Sequence, residues 1–167
     1  EVDKPESYYK EIRDKVESRG LTIESIGGTG GVGLGGDDFS KLLEAANIVG
    51  TSFIADGAGG QSNDEESMKQ VIEKLNKAAE TSSEYGVKLS IKPHVGNAIY
   101  SADSILRAMK DINQEWVGIN YDPSHIWRSA HDADPVESLK RVKQYVFTLR
   151  IRDNRELRER PIGPVEN

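Results

Sequence analysis

Cysteine is absent from the 167 residues. That excludes a disulfide framework and a thiolate metal site, and it fits a cytoplasmic protein. Long apolar runs are missing as well; none approaches the roughly 20 residues that a membrane helix needs. The opening Glu1-Val2-Asp3 has neither a basic region nor an apolar stretch, so no signal peptide is visible. There is also no initiator methionine, as expected of a processed chain or a piece of a longer one. A basic surplus is lacking: 22 Lys and Arg face 28 Asp and Glu, for a net charge of -6. Binding to a phosphate backbone needs a basic footprint, so no nucleic-acid partner is expected. What is present is a soluble globular composition, 36% hydrophobic and 30% charged, long enough for one domain with a core.

Helical and strand periods alternate along the chain. Pro5 opens a helix carrying Tyr9, Ile12 and Val16, closed by Gly20. Leu21 to Ile26 reads as a strand, followed by a glycine-rich loop from Gly27 to Gly36. Asp37 or Asp38 caps a helix with Phe39, Leu42, Leu43, Ala46 and Val49, and Gly50 stops it. Thr51 to Ala55 is the second strand. A long helix with Met68, Val71, Ile72, Leu75 and Ala79 runs to Gly86, and the acidic Asp64-Glu65-Glu66 suits its first turn. Val87 to Ile91, Trp116 to Tyr121 and Tyr145 to Ile151 are further strands. Helices capped by Ser101 and by Asp134-Pro135 lie between them, and the tail from Asn154 reads as polar and irregular. Such alternation implies parallel pairing through right-handed crossovers. Five strands are counted where a closed barrel has eight and about 250 residues. The expectation is a partial barrel spanning residues 1–167 as a single domain, lacking N-terminal units and the last unit. An open doubly wound sheet stays as the alternative.

Gly28-Thr29-Gly30-Gly31-Val32-Gly33 matches the dinucleotide fingerprint between a strand and a helix. Leu34-Gly35-Gly36 intervene, however, and the helix opens on Asp37 and Asp38, which would repel a pyrophosphate. The segment reads instead as a loop over a barrel mouth.

In α/β barrels the chemistry sits at the carboxyl ends of the strands. Those ends here are Lys92-Pro93-His94, Asp122-Pro123-Ser124-His125 and Arg150-Ile151-Arg152-Asp153. Two of the three histidines fall among them. The run Gly86 to His94 resembles the strand that reads Gly-Val-x-Leu-x-x-Glu-Pro-His in sugar isomerases and epimerases of the xylose-isomerase-like barrel superfamily. Val117 to His125 is similar to that superfamily's Asp-x-x-His strand, and Phe147 to Asp153 to its His-x-Lys-Asp strand. Ile162-Gly163-Pro164-Val165 resembles the start of its Gly-x-Gly segment. The resemblance implies a (β/α)8 TIM barrel and a divalent metal (manganese, magnesium, cobalt or zinc) held by glutamate, aspartate, histidine and a second glutamate. It also implies proton transfer between adjacent carbons of an open-chain sugar.

This sequence departs from that pattern where the ligands belong. Lys92 stands at the glutamate position and Arg150 at the histidine position; only Asp122 remains, as the metal ligand if a metal is bound. The expected catalytic groups are therefore Lys92, Asp122 and His125, with His94, Arg150 and Arg152 binding substrate. Arg can grip a carboxylate or phosphate bidentately. Lys can stabilise an enolate or form a Schiff base, and His can shuttle a proton. Plainer roles stand beside these: Asp122 capping the turn before Pro123, His94 bonding backbone at the rim, and Arg150 pairing with Asp122 or Asp153. Arg152 with Asp153 could form a loop salt bridge, His131 could be solvated, and Trp116 and Tyr145 could simply pack. The expected function is isomerisation or epimerisation of a sugar, sugar acid or sugar phosphate. A degenerate, carbohydrate-binding barrel is the alternative. Apurinic endonucleases share the barrel, but three histidines are too few for several zinc ions. The expected partner is a small sugar derivative, with no membrane and with homo-oligomerisation left open.

Overall fold

Local signals fix the helices. The computed structural model describes residues 2–27, 33–129, 134–151, 153–155 and 158–160. Helices α1 (Glu6–Glu17), α2 (Phe39–Val49), α3 (Glu65–Tyr85), α4 (Ala102–Ala108), α5 (Pro123–Ser129) and α6 (Pro135–Val142) alternate with strands β1 (Ile26–Gly27), β2 (Phe53–Gly57), β3 (Lys88–Lys92), β4 (Val117–Tyr121) and β5 (Val146–Leu149). Asp64 starts α3 by accepting a bond from the Ser67 amide at 2.9 Å. Ser101 and Ser104 form a reciprocal capping box on α4. Asp134 accepts from the Val136 amide at 2.8 Å while Pro135 fills the first turn of α6. Gly50 and Gly86 end α2 and α3 in the left-handed region, at φ 81° and 67°, where a side chain would be strained.

The five strands pair in the order β1-β2-β3-β4-β5, every pair parallel. A doubly wound sheet reverses its strand order at a switch point; this one does not. Consecutive right-handed crossovers between neighbouring strands deliver each helix to the same face, as in part of a barrel. On that outer face Ile54, Leu89, Ile91, Val117, Ile119 and Tyr121 join Leu43, Leu75 and Ile105 in one apolar cluster.

The inner face is far more polar than the branched aliphatic filling usual in such barrels. Alternation places Phe53 and Ala55 of β2, Lys88, Ser90 and Lys92 of β3, and Gly118 and Asn120 of β4 on it. The hydroxyls of Ser90 and Thr148 meet at 2.6 Å, both buried, across the strand that separates them. They meet because Gly118, the register partner of Ser90, has no side chain in the way. Between β4 and β5 the register slips, with Ile119 opposite Val146 and Asn120 opposite Thr148. Phe147 is the extra residue of this bulge, so it and Thr148 both turn inward. The Phe147 ring lies over Gly118, 5.8 Å from the Phe53 ring and 5.2 Å from the Lys88 ammonium.

Several expectations from sequence are revised. The strand expected over Leu21 to Ile26 shrinks to two residues; Leu21 is exposed, and only Ile26 and Gly27 pair with β2. The next three strands each begin one or two residues later than their apolar runs: Thr51 and Val87 bond back to Ala46 and Ser82 and close α2 and α3, and Trp116 bonds Asn113 in a turn before β4. Helix α5 follows β4 directly, on the Asp122-Pro123 signal that had been read only as a turn. The polar tail contains an antiparallel pair, β6 (Asp153–Arg155) with β7 (Arg158–Arg160), not irregular chain. The fingerprint residues Gly28 to Val32, together with His131, Arg152 and Ile162 to Val165, lie outside the described residues.

Candidate active site

The carboxyl ends of β3 and β4 bring Lys92, His94, Asp122 and His125 together. Asp122 leaves β4 on the inner face and is fully buried. Its Oδ1 accepts bonds from the Ser124 hydroxyl at 2.8 Å and from the Ser124 and His125 amides at 3.2 and 3.4 Å. Asp122 therefore caps α5 with one oxygen. Its Oδ2 points the other way, 4.0 Å from Nε2 of His125. The expected capping role is thus met by one oxygen of the carboxylate, while the other is turned toward His125.

His125 is 1% exposed and its ring lies against that of His94, 4.2 Å between centroids and tilted by 37°. Burial draws the His125 pKa down from 6.5 to about 4, with Asp122 opposing and His94, Lys92 and Arg128 adding to the fall. His125 is a neutral imidazole at pH 7. His94 is half-buried, and its Nδ1 lies 2.8 Å from the Val95 carbonyl oxygen. The backbone bond expected as its plainer role is present, and the ring still covers His125. Lys92 ends β3 half-buried on the inner face, close enough to His125 to disfavour its protonation.

Arg150 follows β5, its amide donating to the Tyr121 carbonyl at 2.8 Å. It lies one strand further round and is half-buried. Trp116 and Tyr145 pack against the main apolar cluster.

Asn120 was missed in the sequence. It is 2% exposed, on the inner face between Lys92 and Thr148 by strand register. The signal was available: a polar residue at an inward position of an otherwise apolar strand, the same signal that marks Lys92.

A divalent metal of the kind the resemblance implies does not fit these residues. Among the described residues no three His, Asp or Glu side chains gather in a metal-binding group. Asp122 is the single carboxylate of the cluster among the described residues, its Oδ1 is committed to the helix cap, and Lys92 brings a positive charge where the family pattern has a carboxylate.

Parallel strands in sequential order, joined by helices on the same face, define part of an α/β barrel. The chain belongs to the xylose isomerase-like TIM barrel family, whose sequence profile matches residues 2–164. Among solved structures it resembles a probable 3-DHS dehydratase, AsbF, from Bacillus anthracis. The TM-score is 0.77 at 18% identity, over 90% of this chain and 58% of that one. It also resembles a 3-keto-D-glucoside 4-epimerase, YcjR, from E. coli in its apo form (TM-score 0.72, 17% identity, 89% of this chain, 65% of that one). A xylose isomerase-like TIM barrel protein from Mycobacterium smegmatis, in complex with magnesium, is a third (TM-score 0.70, 21% identity, 91% and 59%). At these identities the likeness shows the fold. The chain spans about three fifths of the length of these relatives. No curated protein matches it. No described helix is long and apolar enough to cross a membrane.

Proposed function

We propose that this chain carries the proton-transfer face of an enzyme that isomerises or epimerises an anionic sugar derivative, with Lys92 serving where the family pattern has a metal-binding carboxylate. The observation that carries this reading is the position of Lys92, on the inner face at the end of β3, beside His125 and on the same face as Asp122. Epimerase and dehydratase relatives add support, since both reactions can begin by removing a proton next to a carbonyl.

In this scheme the substrate carbonyl oxygen lies against the Lys92 ammonium. A base removes the proton from the adjacent carbon, the electron pair moves onto the carbonyl oxygen, and Lys92 stabilises the resulting enolate. For isomerisation, the hydroxyl proton of the deprotonated carbon passes to the former carbonyl oxygen, and that hydroxyl becomes the new carbonyl. The removed proton is then returned to the former carbonyl carbon. Return of the proton to the opposite face of the original carbon gives epimerisation. His94 is the half-buried imidazole at the mouth and the group that meets the substrate. The neutral ring of His125 lies behind it, with Asp122 Oδ2 facing that ring at 4.0 Å. Arg150, and Arg152 as read from the sequence, hold the carboxylate or phosphate.

The test is hydrogen–deuterium exchange at the sugar carbons, followed by NMR, for the 6-phosphates of D-fructose, D-psicose and D-tagatose and for D-gluconate. Exchange by chelator-treated protein, lost in Lys92→Ala, supports the proposal. Exchange that requires a stoichiometric divalent metal, or that survives Lys92→Ala, refutes it. The burial of Asp122 and His125 favours a second reading, a sugar-binding barrel without turnover. Binding of a sugar without exchange would select that reading.

A further inference from the structure

On the inner face, Asn120 is a neutral polar residue with hydrogen-bonding capacity unspent among the described residues. Asn120 is 98% buried by its 2% exposure, and among the described residues its Oδ1 has no hydrogen-bond partner. A buried carboxamide oxygen left unpaired is costly, and native interiors carry few of them. The neighbouring groups do not relieve it. Thr148, its register partner on β5, is engaged with Ser90. On the other side stands Lys92, one residue beyond the Ile91–Ile119 pair, and its ammonium is not bonded to this oxygen either. Asn120 lies one pleat below Asp122, at the level of Lys92 and on the mouth side of the Ser90–Thr148 contact.

We infer that Asn120 is a specificity-determining residue whose carboxamide oxygen accepts a hydrogen bond from a hydroxyl of the sugar held against Lys92. This rests on the sugar reading above and adds which kind of group the site selects. A site built to hydrogen-bond a hydroxyl discriminates strongly against an analogue lacking it, because the buried acceptor is then left unpaired. A carbonyl oxygen beside Lys92 and a hydroxyl donating to Asn120 are the two neighbouring functions of an α-hydroxy ketone. The pair of residues therefore selects that unit over a simple ketone or a deoxy sugar. Asn120 needs no charge for this, and its neutrality leaves the positive field of Lys92 undiminished.

The experiment compares wild-type protein, Asn120→Leu and Lys92→Ala, titrating each with the 6-phosphates of D-fructose, D-psicose and D-tagatose and with their 3-deoxy and 4-deoxy counterparts. Leucine matches asparagine in shape and removes the acceptor. The expected result is a 10- to 100-fold preference of wild type for one hydroxylated sugar over its deoxy counterpart. In Asn120→Leu that preference collapses to within 3-fold while the thermal midpoint stays equal or rises. A preference that survives Asn120→Leu overturns the inference, as does a lowered midpoint, which would make Asn120 a structural residue. If Lys92→Ala abolishes binding while Asn120→Leu behaves as wild type, this inference fails and the sugar reading stands. If wild type binds none of these sugars, both fail.

Discussion

Replacing Gly118 by alanine tests the packing that shapes the inner face. A Cβ at Gly118 would lie 2.5 Å from Cδ1 and Cγ of Phe147 and 2.6 Å from its Cδ2. Carbon atoms rest at about 3.5–4.0 Å, so the ring must retreat by roughly 1 Å. It has little room, because Phe53 packs at 5.8 Å and the Lys88 ammonium sits over the ring at 5.2 Å. Overpacking of this kind costs about 1–3 kcal/mol, offset by about 0.4–1 kcal/mol from the less flexible unfolded chain. The net expectation is a loss of about 1–2 kcal/mol, or about 2–8 °C in thermal midpoint for a chain of this size. Urea unfolding with an unchanged slope is the assay. The cause is isolated by a double-mutant cycle with Phe147→Leu, in which the cost of Gly118→Ala should shrink by about 1 kcal/mol. An unchanged midpoint for Gly118→Ala, or an equal loss in both backgrounds, would refute the argument.

The remaining predictions concern the histidine cluster. His125 has a folded pKa depressed from 6.5 to about 4. Between those values the unfolded state binds more protons, so stability rises with pH through that window. It is fully present above about 6.5 and lost as pH falls through about 4. The shift corresponds to roughly 3 kcal/mol at most, and His125→Gln should flatten the stability profile over that range in denaturant titrations; a profile with the wild-type slope would contradict the assignment. Asp122→Ala removes the α5 cap and should cost about 0.5–2 kcal/mol. Asp122→Asn keeps an oxygen for the Ser124 amide and hydroxyl, so its midpoint should stay near that of wild type while isotope exchange falls at least tenfold; equal midpoints for the two variants would show that the cap contributes little.

Much of the fold was legible in the sequence, for local reasons. Asp64, Ser101 and Asp134 announce helix starts, Gly50 and Gly86 announce stops, and the apolar period between them separates strands from helices. The alternation also announced parallel pairing. The strand ends named Lys92, His94, Asp122 and His125 in advance because ionisable groups at the ends of apolar strands cost too much to be incidental. Helix α5 escaped because its Asp-Pro start looks the same as a turn until the chain beyond it is placed.

What the tertiary structure decided was which groups share a face and which are spent. Residue type shows that Asp122 carries a carboxylate; only the fold shows one oxygen capping α5 and the other turned to His125. Sequential strand order removed the doubly wound alternative, which periodicity could not do, since both folds alternate strand and helix. The bulge at Phe147 was invisible because register is a relation between two strands. That bulge sets Thr148 beside Asn120 and turns Phe147 onto Gly118. The Asn120 oxygen, polar in any reading of the chain, became informative only once its neighbours were seen to be committed elsewhere.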